Sequence, residues 1–76
     1  MLELVHYILN QLVQDPDNLK LTTEENEKEL TIFVEIPEEE RGLIIGRNGV
    51  NIKAIRTLAS IIARREEKMV YIKIVD

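Results

Sequence analysis

The chain has 76 residues, 45% of them apolar and 32% charged, and a formal net charge of −4. That is enough for one small globular domain, residues 1–76, with a modest core that gains from association with a partner. There is no cysteine and a single histidine, His6, which excludes a disulfide framework, a thiolate metal site and a histidine cluster.

The start, "MLELVHYILNQL", lacks the basic region and small-residue cleavage site of a signal peptide. No apolar run approaches the ~20 residues that span a membrane. A soluble, cytoplasmic protein without membrane contact is the expectation.

Residues 2–14, "LELVHYILNQLVQ", place Val5, Ile8, Leu9 and Leu12 at helical spacing. "DPDN" at 15–18 stops that helix, because Pro16 disfavours helical geometry in Asp15. "LKLTT" at 19–23 alternates as a strand, with Leu19 and Leu21 on one face. "EENEKE" at 24–29 reads as a polar turn. "LTIFVEI" at 30–36 alternates again, with Leu30, Ile32, Val34 and Ile36 inward.

Pro37 opens a short helix ending near Ile45, and Glu38, Glu39 and Glu40 suit its positive dipole end. A second helix runs from about Val50 to Arg65. "MVYIKIV" at 69–75 is the last strand, with Val70, Ile72 and Ile74 inward. The order α-β-β-α-α-β predicts an α+β fold. Helices pack on one face of a three-stranded mixed sheet, and the last strand lies parallel to the second.

The charge is unevenly placed. From Arg41 to Arg65 the chain carries six basic residues and no acidic one, while all 14 acids and four bases lie elsewhere. Screening over ~8–10 Å means that a ligand at this segment feels mainly its local charge. An anionic partner at one face follows, against the alternative of a merely solvated helix.

Within this segment, Gly46-Arg47-Asn48-Gly49 separates the two helical patterns. The following helix presents unpaired N–H groups and a positive dipole end, where phosphates bind. Gly46 and Gly49 lack a Cβ, so a sugar-phosphate backbone can approach closely. Arg47 adds charge and Asn48 adds donors and acceptors. Ile44, Ile45 and Ile52 would line a narrow groove for unstacked bases.

On a wheel at ~100° per residue with Ile55 at zero, Ile52, Leu58, Ala59 and Ile62 share the core stripe. Lys53 and Arg56 fall on the solvent side, where RNA contact competes with plain solvation. These parts suit single-stranded nucleic acid. A nucleotide cofactor fits worse, because no Gly-x-Gly-x-x-Gly and no Lys-Ser/Thr accompanies the turn. No cofactor, metal or small-molecule substrate is expected. No catalytic set can be assembled around one histidine.

The run from Ile45 to Arg56, "IGRNGVNIKAIR", resembles the signature of the K-homology (KH) domain: a hydrophobic residue, Gly-x-x-Gly, then an Ile-x-x-Ile spacing. The element order is similar to the type II KH fold. The length, the N-terminal segment and "IKAIRTLA" resemble the short bacterial single-KH proteins of the KhpA family. The resemblance covers nearly the whole chain. It implies binding of about four nucleotides of single-stranded RNA at the turn, through Ile45, Gly46, Arg47, Asn48, Gly49, Ile52, Lys53 and Arg56. It also implies a role as RNA chaperone or post-transcriptional regulator that influences cell shape, and pairing with a larger KH protein of the Jag type. It puts the loop between the first two strands, with Glu24, Glu25, Glu27 and Glu29, opposite the turn, where those acids would weaken the clamp.

Arg41 would complement the preceding glutamates, and Arg64 and Arg65 the helix C-terminus. Tyr7, Phe33 and Tyr71 are too few and too scattered in sequence for an evident stacking platform. Ile61 falls off the core stripe beside Ala54 and Leu58, an apolar strip for a homodimer or heterodimer contact. A protein-interaction adaptor with little RNA affinity is the alternative to an RNA binder.

Overall fold

The computed structural model describes residues 1–75. Helix α1 spans Leu2–Leu12 and buries Val5 and Leu9. It stops two residues earlier than the pattern predicts. Val13 turns extended, and its N–H closes onto the Leu9 carbonyl. That rotation carries Val13 into the core. A single 3-10 turn, Pro16–Asn18, follows; the Asp15 carboxylate accepts the N–H of Asp17 at 3.1 Å and caps it.

Strands β1, Lys20–Glu25, and β2, Glu29–Glu35, form the antiparallel hairpin. Both run further into the glutamates than predicted, leaving a tip of only 26–28. Asn26 explains this. Its Oδ1 accepts the N–H groups of Lys28 and Glu29, both at 2.9 Å, and its own N–H donates to the Glu29 carbonyl. With the turn closed by one asparagine, backbone pairing continues through Glu24 and Glu25, opposite Thr31 and Leu30, although both glutamates stand in solvent.

Helix α2 spans Glu38–Ile45, with Pro37 just outside it, and helix α3 spans Val50–Arg65. Strand β3, Met69–Val75, pairs parallel to β2 and completes the order β1-β2-β3. Ile32 stands opposite Ile72, and Val34 opposite Ile74. This is the predicted α+β arrangement of a type II KH fold, with a mixed sheet and the helices on one face.

Two core assignments differ from the pattern. Leu58 was expected in the α3 stripe but is 50% exposed, and Ala63 is buried instead. On the ~100° wheel, the buried residues Ile55, Ala59, Ile52 and Ala63 span about 0° to 80°. The buried arc is therefore rotated toward β3, which leaves Leu58 outside. Glu40 is the other difference. It does not simply complement the helix dipole. Its carboxylate is buried and accepts the backbone N–H groups of Gln14 at 2.7 Å and Asp15 at 3.1 Å. It thereby ties the end of α1 to the first turn of α2.

Candidate nucleic-acid interface

The turn between α2 and α3 has an unusual backbone. Gly46 has φ 77° and ψ 169°, Asn48 has φ 58°, and Gly49 has φ 75°. Three of its four residues thus sit at positive φ, which two glycines and an asparagine tolerate best. The Gly46 N–H bonds the Gly42 carbonyl at 2.8 Å, and the Gly49 N–H bonds the Gly46 carbonyl at 3.0 Å.

The two glycines serve different purposes. A Cβ on Gly46 would lie 2.6 Å from Asn51 Cγ and 2.9 Å from Asn51 N. Its empty side is filled by the chain itself, so Gly46 is not the place of close approach that the sequence predicts. A Cβ on Gly49 would meet only Lys53 Cε, at 3.7 Å. Gly49 is the open side of the turn. Asn51, in the first turn of α3, donates from Nδ2 to the Leu43 carbonyl at 3.0 Å. It ties the end of α2 to the start of α3.

Arg47, Asn48 and Lys53 are exposed around this turn. Arg47 and Lys53 make no ion pair among the described residues. Ile45 is 37% exposed beside them. Ile52 is turned into the core and keeps only 7% of its surface, so it floors a groove at most; Ile44 is fully buried. Val50 is the apolar residue that the sequence reading missed. It opens α3 and is 59% exposed.

Further along α3, an open trough runs between the helix and the edge strand β3. Arg56, Ser60 and Arg64 line its helix side, and Val70, Tyr71 and Lys73 its strand side. No carboxylate lines it. Arg56 is partly committed there, since its Nη2 donates to the Ile72 carbonyl at 2.9 Å.

The acidic hairpin tip does not face the turn. The Met69 N–H bonds the Lys28 carbonyl, and Lys68 pairs with Glu25. Both contacts fix the tip at the C-terminal end of α3. The 16 residues of α3 span about 24 Å, and that length separates the tip from the turn. The expected acidic wall therefore does not stand opposite the turn.

On the other side of α3, Ala54, Leu58 and Ile61 are exposed and line up with Val50. Ala54 and Leu58 join Ile8 and Leu12 of α1 around a small apolar groove. The helix thus separates a basic flank beside β3 from an apolar flank beside α1. Among the described residues, no group of acids and histidine is placed to hold a metal ion, and no helix is long and apolar enough to cross a membrane.

Comparison with known proteins agrees with the fold. Residues 2–74 match the family model described as "KhpA/KhpB, KH domain". The chain is 33% identical to the RNA-binding protein KhpA of Listeria monocytogenes over the full length of both. It is 35% identical to the KhpA protein of Borreliella burgdorferi, over 99% of this chain and 92% of that protein. Identity to the KhpA protein of Bacillus subtilis is 28%, over 97% and 91% of the two chains.

Proposed function

The chain belongs to the KhpA/KhpB family of KH-domain proteins, and on that premise we propose that it is a non-catalytic binder of single-stranded RNA. Its relatives are named for RNA binding. The observation that carries the reading is the turn itself: glycine-bracketed, basic, open at Gly49, and with Arg47 and Lys53 in no ion pair among the described residues.

Arg47, Asn48 and the N-terminal amides of α3 hold phosphates at the open Gly49 side. Lys53 adds long-range attraction. The strand then runs along the first turns of α3, with Ile45 at its entrance, Ile52 beneath it and Arg56 at its far end. About four nucleotides fit such a clamp. One domain of this size binds weakly, so useful affinity comes from two domains acting together.

The apolar flank of α3 supports that pairing. Ala54, Leu58 and Ile61, with Val50, would meet a second copy or a larger KH protein of the Jag type. A role as RNA chaperone or post-transcriptional regulator is what the family resemblance implies for such a binder. The same apolar flank also favours a second reading, a protein adaptor with little RNA affinity of its own.

The test is an NMR titration of the 15N-labelled chain with a single-stranded tetranucleotide. The expected amide shifts cluster at Gly46–Arg56. Shifts confined to the α1–α3 flank, or none at high micromolar RNA, would favour the adaptor.

A further inference from the structure

The face of the sheet away from the helices carries a feature that the sequence hides. Phe33 and Tyr71 are 38 positions apart, yet the parallel pairing of β2 with β3 makes them neighbours. Phe33 stands opposite Lys73, and Thr31 opposite Tyr71. The two residues are therefore diagonal neighbours, with backbones about 7–8 Å apart, a spacing that aromatic side chains can bridge. Both alternate with the buried Ile32, Val34 and Ile72, so both lie on the helix-free face. Tyr71 is 38% exposed and Phe33 is partly exposed.

Charge on this face is divided. The row Thr22–Phe33–Lys73 holds a lysine and no acid. Glu24 stands on the β1 side of the next row, away from Tyr71. Glu29 and Glu35 lie at the two ends of β2. Strand β3 thus adds Tyr71 and Lys73 and no acid to this face, while Glu24, Glu29 and Glu35 stand on β1 and at the ends of β2. Tyr71 and Lys73 also line the trough beside Arg56 and Ser60. The trough and this half-face are continuous over the edge of β3.

We propose that the β3 half of the open sheet face is a second contact surface for single-stranded RNA, with Phe33 and Tyr71 as stacking platforms for bases and Lys73 as the phosphate contact. It rests on the reading that the turn binds RNA. A strand longer than the turn can hold passes over the β3 edge and lays its next bases on the two rings. Aromatic faces accept any base, so the extension adds affinity without sequence preference. The glutamates repel phosphate and keep the strand on the β3 half.

Fluorescence polarisation with single-stranded RNA of about four and about ten nucleotides separates this proposal from the reading beneath it. The Phe33→Ser/Tyr71→Ser variant should bind the tetramer like the native chain but lose about five- to twentyfold on the decamer. Tyr71→Phe, which keeps the ring, should lose little. In a Tyr7→Phe background Tyr71 is the remaining tyrosine, and its emission should be quenched by the decamer but not by the tetramer. Equal decamer binding by the native and double-serine chains, with Tyr71 emission unchanged, overturns the proposal and leaves the turn intact. Failure of the native chain to bind either RNA overturns both. If the double-serine variant instead converts a dimer to a monomer in sedimentation, the face is a contact between copies of the chain and the proposal falls. Circular dichroism establishes that each variant is folded. Should the double-serine chain not fold, Lys73→Gln carries the test, with a decamer affinity less sensitive to salt.

Discussion

The Asn51 side chain donates to the Leu43 carbonyl at 3.0 Å, a bond that crosses the whole glycine turn from α3 back to α2. It satisfies a carbonyl in the last turn of α2, where helix carbonyls lack partners. It also packs against the bare side of Gly46. Asn51→Ala should lower stability by about 1 kcal/mol, read by urea denaturation. RNA affinity should fall as well, although Asn51 need not touch RNA, because the turn loses its brace.

The two glycines should respond unequally to alanine. Gly49→Ala carries the left-handed strain alone, about 1–2 kcal/mol. Gly46→Ala adds a collision with Asn51 to its own positive φ and should cost more. Paired denaturation curves decide the order. Equal losses would contradict the assignment of Gly46 to structure and Gly49 to access.

Glu40 should prove the most sensitive of the three consecutive glutamates. Glu40→Ala strips the acceptor from the N–H groups of Gln14 and Asp15 and should cost about 2–3 kcal/mol. Glu40→Gln keeps one amide oxygen and should cost less. Glu38→Ala and Glu39→Ala, at exposed positions, should change stability by less than about 0.5 kcal/mol. Thermal unfolding of the four variants checks the ranking.

Beyond the C-terminus of α3, Glu67 has φ 58°, and the Lys68 N–H returns to the Ala63 carbonyl at 2.9 Å. This is the geometry of a helix end that favours glycine. Glu67→Gly should raise stability by about 1 kcal/mol. A loss in the same unfolding assay would contradict that account of the cap.

The apolar flank gives a prediction about assembly. Leu58 and Ile61 are 50% and 52% exposed, so Leu58→Glu/Ile61→Glu should leave the fold intact. Sedimentation should then show weaker self-association or weaker pairing with a larger KH protein. Unchanged association would place any interface elsewhere.

The legibility of this chain follows from which forces act locally. The bounds of α3 could be read because a glycine stops one pattern and a strong amphipathic period starts the next. The parallel last strand could be read because two intervening helices forbid a hairpin. The strand ends could not. Backbone pairing through Glu24, Glu25 and Glu29 ignores side-chain polarity, and the choice lay with the Asn26 turn. Glu40 looks identical to Glu38 and Glu39 in sequence; only the docking of α1 singles it out. The exchange of Leu58 for Ala63 in the core depends on a rotation of the helix against β3. Phe33 and Tyr71 seemed scattered because their adjacency exists only through parallel register. At the site, the turn was visible, whereas the Asn51 brace and the distance to the acidic tip needed three dimensions.

The central claim is that the Gly46–Gly49 turn holds phosphates. It is tested most directly by titrating short single-stranded RNA by fluorescence polarisation at low and moderate salt. The native chain should be compared with Arg47→Asp/Asn48→Asp, once both are seen to fold. The account predicts binding that weakens steeply with salt and disappears in the double variant. RNA binding of equal strength in both chains, or binding indifferent to salt, would contradict it.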